Sequence, residues 1–308
     1  MEKEIKFLFQ FNKNNQQDLF VRGIIPELNV RFVFAQLKEA LKEIRQLQEL
    51  SIQAQALLGE VIMGAFLLTS REIKEFHEQI GIQIHSDGVI KRIIAFANSY
   101  GGVRGIISPP DAEWEGELHQ GKGEGILQVN KFKMTSKKIY SSAVEMRKVP
   151  FSKNIEEYIS KSDQVNAFVG IFSLYDKYQP QKPVEIFGYF FEALPDTSFD
   201  QIDALANFIQ KTDFPTFFQT LFYEHQTNQK RTFHQQYRVE ILQTGNLFFY
   251  CDCSLEKIEE VIFTLGKDEI HAILKEEGKV EITCEFCKKK YTFNENDIQK
   301  LFMKKNNL

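Results

Sequence analysis

The sequence predicts an α+β fold in three parts: a large N-terminal domain (residues 1–194), a helical linker (195–235) and a small C-terminal domain (236–308). Three observations support this division. Apolar residues alternate with a period of two over much of the first part, helical spacing dominates the linker, and every cysteine lies in the last part. The 308 residues are 43% hydrophobic and 26% charged, which is an ordinary globular composition.

The N-terminal domain is predicted to contain antiparallel strands and two early helices. Strands are expected at 5–11, 19–25, 80–84, 90–97, 126–132, 165–172 and 184–193. Helical spacing begins at Phe34 and continues through Leu37, Leu41 and Ile44. A second, more apolar helix is expected over 55–68.

Two glycine-rich segments are predicted to be turns. Gly101 and Gly102 separate two apolar runs, which indicates a hairpin. Residues 121–125 contain three glycines and invite comparison with a phosphate-binding loop. They lack the Gly-Lys-Ser/Thr ending and precede a strand, so a turn is the better interpretation.

The linker is predicted to be helical and rich in phenylalanine. Ser198 followed by Gln201 fits a capping box, and Asp213 with Pro215 begins a second helix. The apolar side of that second helix carries Phe214, Phe217, Phe218, Leu221 and Phe222. The chain has 29 phenylalanines, which either fill the core or form an apolar surface for a partner.

The C-terminal domain is predicted to alternate short strands and helices. An aromatic strand over 247–250 leads into a helix that Ser254 caps and Gly266 ends. A second helix ends at Gly278, a hairpin spans 280–293, and a short helix follows over 298–302.

The four cysteines predict a metal site. Cys251 and Cys253 are separated by one residue, Cys284 and Cys287 by two, and thirty residues lie between the pairs. Four thiolates match the tetrahedral coordination of zinc, and two cysteines at i and i+2 of an extended segment face one side. A disulfide framework is less compatible with the expected cytosolic location, because the N-terminus lacks a signal-peptide core and no segment has the composition of a membrane span.

Such a site would dominate the stability of its domain. About sixty residues form a marginal core, whereas structural zinc contributes roughly 10–16 kcal/mol of apparent free energy. Oxidation of the thiolates is therefore expected to release the metal and unfold the domain. The lysines at 288–290 either favour thiolate formation at Cys287 or simply form a solvated turn.

Two other functions fit the cysteines less well. A nucleic-acid-binding zinc ribbon is disfavoured because the thirty-residue gap is long and residues 251–308 contain ten Lys, no Arg and twelve acidic residues. A thiol oxidoreductase would place Cys284 and Cys287 at the start of a helix, whereas a hairpin is predicted here. No nucleophile motif or histidine cluster indicates an enzyme, and the net charge of −4 gives no reason to expect nucleic acid or anionic membrane as partners.

The C-terminal segments closely resemble the redox domain of the heat-shock protein 33 family, which are redox-regulated bacterial chaperones. The matching segments are 251–254, 265–270 and 276–293. Weaker similarity covers 103–105, 121–129 and 162–164, whereas 86–90 lacks the extra glycine and proline expected after its turn.

The resemblance implies a holdase chaperone with a substrate-binding domain, a linker and a redox switch. It implies that the reduced, zinc-bound form is inactive and that oxidation pairs Cys251 with Cys253 and Cys284 with Cys287. It further implies zinc release, homodimer formation, binding of unfolded client proteins and their later transfer to ATP-dependent foldases.

Overall fold

The computed structural model describes residues 18–69, 78–133, 138–162, 164–179, 181–214, 217 and 237–305. Its strands are β1 (Asp18–Ile25), β2 (Val30–Leu37), β3 (Glu78–Ser86), β4 (Arg92–Asn98), β5 (Gly102–Ser108), β6 (Gly125–Lys133), β7 (Lys138–Met146), β8 (Ala167–Leu174), β9 (Glu185–Ala193), β10 (Glu240–Phe249), β11 (Val280–Thr283) and β12 (Lys290–Phe293). Its helices are α1 (Glu39–Gln48), α2 (Ile52–Thr69), α3 (Leu118–Lys122), α4 (Phe151–Ser162), α5 (Phe199–Lys211), α6 (Leu255–Leu265), α7 (Lys267–Glu277) and α8 (Glu295–Lys305). The predicted α+β class is confirmed.

The chain forms two compact units, residues 1–249 and 250–308. Among the described residues of the larger unit, ten strands form one sheet in the order β7-β6-β3-β4-β5-β10-β1-β2-β9-β8. Neighbouring strands are antiparallel except β10 and β5, which pair in parallel at Phe248 and Phe249. The sheet therefore consists of two antiparallel halves that are joined by β10.

Helix α2 forms the centre of the larger unit. Every residue of α2 except Glu60 is buried, and the helix contacts strands from both halves of the sheet. By length and composition alone α2 could cross a membrane, but its apolar window is wholly buried inside the protein. The predicted helix over 55–68 is thus confirmed as a core helix, three residues longer at its start.

The opposite face of strands β1, β2 and β9 is covered by the described part of the linker. Helix α5 begins at the predicted capping box, in which Ser198 Oγ accepts from the Gln201 backbone and Gln201 Oε1 accepts from the Ser198 backbone. The cluster on this face, which we call the outer aromatic cluster, contains Leu19, Val21, Ile25, Leu28, Val30, Phe32, Phe34, Phe191, Leu205, Phe208, Phe214 and Phe217. The described part of the linker, residues 195–214 and Phe217, therefore packs against the sheet.

One predicted helix start is wrong. Phe34 and Leu37 lie in strand β2, and α1 begins only at Glu39. The carboxylate of Asp18 accepts the backbone N–H groups of Lys38, Glu39 and Ala40 at 2.8–2.9 Å. This cap comes from a residue about twenty positions away, so the local spacing gave no indication of where the helix begins.

Strand β10 belongs to the sheet of the larger unit, although the sequence grouped these residues with the C-terminal domain. It pairs with β1, where Asp18 lies opposite Leu247. At Gly101, which has φ of +96°, an added Cβ would lie 2.0 Å from the carbonyl oxygen of Asn246. The predicted β4–β5 hairpin is confirmed, and its glycine also makes room for β10. The predicted domain limits at 194 and 235 stay predictions, as does the strand at 5–11, which lies outside the described residues.

Candidate metal centre

The first cysteine pair lies between β10 and α6. Cys251 and Cys253 are half-buried in the extended segment that follows Phe249. Ser254 then caps α6 by accepting the Lys257 N–H at 3.4 Å, and Lys257 Nζ pairs with Asp252 at 2.6 Å. The ion pair of Asp252, between the two cysteines, and the cap formed by Ser254, directly after them, hold this segment in place.

The second pair lies in the turn between β11 and β12. The backbone N–H of Lys288 donates to the Cys284 carbonyl, and the N–H of Cys284 donates to the Lys289 carbonyl, both at 2.9 Å. Lys288 adopts a left-handed conformation with φ of +58°. This tight turn directs both sulfurs to one side, and no helix begins at the pair, which separates it from the thioredoxin-like arrangement.

The structure brings all four predicted sulfurs together. Cys251 Sγ lies 3.7 Å from Cys284 Sγ, and Cys253 Sγ lies 3.4 Å from Cys287 Sγ. All four lie within 4.8 Å of one another. Since tetrahedral zinc with bonds of about 2.3 Å separates its sulfurs by roughly 3.8 Å, the arrangement fits an ion of this kind.

The surroundings act differently on the four thiols. Burial raises the pKa of Cys251, and the nearby Cys284 thiol adds to the rise. Burial also raises the pKa of Cys287. At Cys253 burial is outweighed by hydrogen bonds from Tyr291 and the neighbouring thiols, so its pKa is lowered.

Tyr291 is a residue of the centre that the sequence reading missed. Its hydroxyl donates to Cys253 Sγ at 3.2 Å, and this bond is the largest cause of the raised pKa of the phenol. The available signal was the alternation in β12, which buries Tyr291 and Phe293 and exposes Lys290 and Thr292. Recognising the contact also required knowing that Cys253 lies beside this hairpin.

The other predicted site residues are placed as follows. Phe214 and Phe217 are buried in the outer aromatic cluster, and Phe218, Leu221 and Phe222 lie outside the described residues. Lysines 288–290 are exposed, and Lys290 pairs with Glu281 at 3.2 Å. Residues 121–125 end α3 and enter β6, which agrees with a turn rather than a phosphate loop.

Fold and site define a two-unit protein with a large α+β body and a small unit built around four thiols. A family model described as Hsp33 protein matches residues 18–294, and the chain belongs to this family.

Relatives named 33 kDa chaperonin match nearly the whole chain. The protein of Shewanella frigidimarina is 27% identical over 92% of this chain and 96% of its own. That of Nitrosococcus oceani is 26% identical, with 94% and 95% covered. The crystal structure of a 33 kDa chaperonin from Thermotoga maritima matches with a TM-score of 0.76, covering 95% of this chain and 100% of the other at 24% identity, which supports the fold.

Proposed function

We propose that this protein is a redox-regulated holdase chaperone that binds unfolding proteins under oxidative stress. The observation that carries the proposal is the meeting of four sulfurs within 4.8 Å in the smaller unit of a chain that belongs to the Hsp33 family. Relatives named chaperonins supply the class of activity. The thiols supply the means of regulation.

In the reduced state the four cysteines would bind one zinc ion. Bound zinc supplies positive charge that keeps all four sulfurs as thiolates and a fixed tetrahedral geometry. Cys253 contacts the core of the small unit, which contains Ile258, Ile262, Ile270, Val280, Tyr291, Phe293, Ile298, Leu301 and Phe302. Loss of the four-sulfur geometry would therefore disturb the packing of this core directly.

Oxidation would convert the thiolates into two disulfides. A thiolate attacks one oxygen of hydrogen peroxide, the O–O bond breaks, and a sulfenic acid and hydroxide form. A second thiolate displaces the sulfenic hydroxyl as hydroxide and forms the S–S bond. Formation of each disulfide therefore transfers two electrons from two thiolates to one peroxide. We propose the pairs Cys251–Cys253 and Cys284–Cys287. Sulfurs paired in this way no longer bind zinc.

The signal would reach the linker through strand β10. Cys251 follows the end of β10 by two residues. At the other end of this strand Tyr237 packs against Phe208 of α5, with ring centroids 5.9 Å apart and planes at 83°. Unfolding of the small unit would loosen β10, and the linker would expose apolar surface of the outer aromatic cluster to clients.

The remaining features of the proposal are those expected of a redox-regulated holdase chaperone. We propose homodimer formation in the oxidised state, transfer of clients to ATP-dependent foldases, a cytosolic location and no enzymatic activity. The hairpin position of Cys284 and Cys287 argues against a thiol oxidoreductase. An assay of insulin disulfide reduction tests that alternative.

The deciding experiment is suppression of aggregation. A thermally unfolding enzyme is incubated with the reduced, zinc-loaded protein or with the peroxide-oxidised protein. We expect suppression only in the oxidised sample. The control is the double variant Cys284→Ser/Cys287→Ser, which cannot form the second disulfide. Equal suppression by the reduced and oxidised wild type, or none by either, would exclude the proposed regulation.

A further inference from the structure

Tyr291 joins the core of the small unit to its metal centre. Its ring is buried, at 7% exposure, among the apolar residues of that core. Its hydroxyl reaches Cys253 Sγ at 3.2 Å. The residue thus has a packing role through the ring and a polar role through one oxygen, and these two roles are separable by substitution.

The ring is held in place on several sides. Tyr291 lies opposite Ile282 in the β11–β12 hairpin, and the Lys289 ammonium lies 4.9 Å from the ring centroid. A buried ring in a paired strand has little freedom to move its hydroxyl away from the sulfur. The hydrogen bond is therefore a fixed part of the centre.

Other sulfurs of the centre accept hydrogen bonds from the backbone. Cys251 accepts from the N–H of Cys253, and Cys287 from the N–H of Lys289. Cys253 differs because a side-chain hydroxyl reaches it. A hydrogen bond to a thiolate occupies a sulfur lone pair, which lowers the nucleophilicity of that sulfur and orients it toward a metal.

We propose that Tyr291 is a positioning residue that holds Cys253 in the metal centre and makes it a slow-reacting sulfur toward electrophiles and oxidants. This inference rests on the proposed zinc binding. It makes the centre asymmetric: Cys287, which faces Cys253 at 3.4 Å, reacts before Cys253 does.

The test compares Tyr291→Phe with the control Thr292→Val. The first change removes the oxygen and keeps the buried ring. The second removes a hydroxyl from the next residue of the same strand, which is exposed. Both proteins are prepared reduced with one zinc per chain and treated with iodoacetamide, in which the sulfur lone pair forms an S–C bond and displaces iodide. Peptide mapping then gives the alkylation rate of each cysteine.

In Tyr291→Phe we expect the rate at Cys253, relative to Cys287, to rise about 2- to 10-fold, the equivalent of one hydrogen bond. Zinc affinity, measured by competition with a chelator, should fall about tenfold. Thr292→Val should match the wild type in both. A purely structural role of Tyr291 would raise the rates of all four cysteines together, and an unchanged Cys253 to Cys287 ratio overturns the inference.

A second measurement needs no substitution. In the wild-type protein Cys253 must be alkylated more slowly than Cys287, and the reverse order also overturns the inference. Failure here is distinct from failure of the proposed function. A protein that binds one zinc and is activated by peroxide, yet shows no selective change at Cys253, retains its function while Tyr291 loses its assigned role.

Discussion

The two units of this protein are stabilised by different means. The larger unit surrounds a helix, α2, in which every residue but Glu60 is buried. In the smaller unit α6 buries only Ile258 and Ile262, and α7 buries only Ile270. A core of this size is marginal for about sixty residues, so we expect the smaller unit to depend on the proposed metal centre and the larger unit to fold without it. We therefore expect the smaller unit to be able to unfold while the larger unit stays folded.

Removal of the metal should produce the largest difference between the units. We expect chelation under mild oxidation to unfold the smaller unit, because the apparent contribution of structural zinc is about 10–16 kcal/mol. Hydrogen exchange should show lost protection in β11, β12 and α6, with α2 and β4 unchanged. Equal loss of protection in α2 would contradict the comparison.

Truncation of Phe217 should weaken only the larger unit. Phe217 is fully buried, and its ring lies 4.7 Å from that of Phe34. Phe217→Ala is expected to lower the free energy of unfolding by about 3–5 kcal/mol. Trp114, the single tryptophan, is buried in the larger unit and reports this transition by fluorescence during urea unfolding.

The matched control is Phe199→Ala, since Phe199 is 87% exposed at the start of α5. It should change stability by less than about 0.5 kcal/mol. The metal content of both variants should equal that of the wild type. Similar costs for the two substitutions would show that the linker is not packed as described.

Glu60 should make the stability of the larger unit depend on pH. Burial raises the pKa of Glu60 to about 7, against a hydrogen bond from Ser173 and the charge of Lys122, while Tyr175 lies near enough to respond to the carboxylate. Ser173 Oγ donates at 2.6 Å. A carboxyl with a raised folded-state pKa favours folding while it is protonated. The contribution of Glu60 to stability is therefore greatest below about pH 4.5 and falls as the pH rises toward 7.

Glu60→Gln should reduce this slope by an amount on the order of 1–3 kcal/mol at neutral pH, measured by urea unfolding with Trp114 fluorescence. A smaller slope of the same sign should remain, because burial also raises the pKa of Asp18, to about 6. Glu157→Gln serves as the control, because the contribution of Glu157 to stability depends on pH in the opposite direction. Hydrogen bonding to Lys161 lowers the pKa of Glu157, so its contribution is lost as the pH falls. An unchanged slope in Glu60→Gln would mean that Glu60 is not the group responsible.

Much of this structure follows from short stretches of sequence. Three features appear as predicted: the capping box at Ser198 and Gln201, the ends of α6 and α7 at Gly266 and Gly278, and the hairpin whose turn contains the second cysteine pair. The apolar run of α2 also predicted its burial. Each of these features is decided by residues within a few positions of one another, through caps, turns and periodicity.

The remaining features depend on residues that are distant in sequence. Strand β10 enters the sheet between β1 and β5, so Leu247 pairs with Asp18 and Phe248 with Gly102. Asp18 caps α1, so the helix begins after β2 although the helical spacing of apolar residues starts within that strand. Tyr291 reaches Cys253 across 38 positions. The cysteine spacing alone predicted that four sulfurs would meet. Packing decided which side chain forms a hydrogen bond to one of these sulfurs. A hydrogen bond depends on the positions of individual atoms, and the local pattern of residue types does not specify those positions.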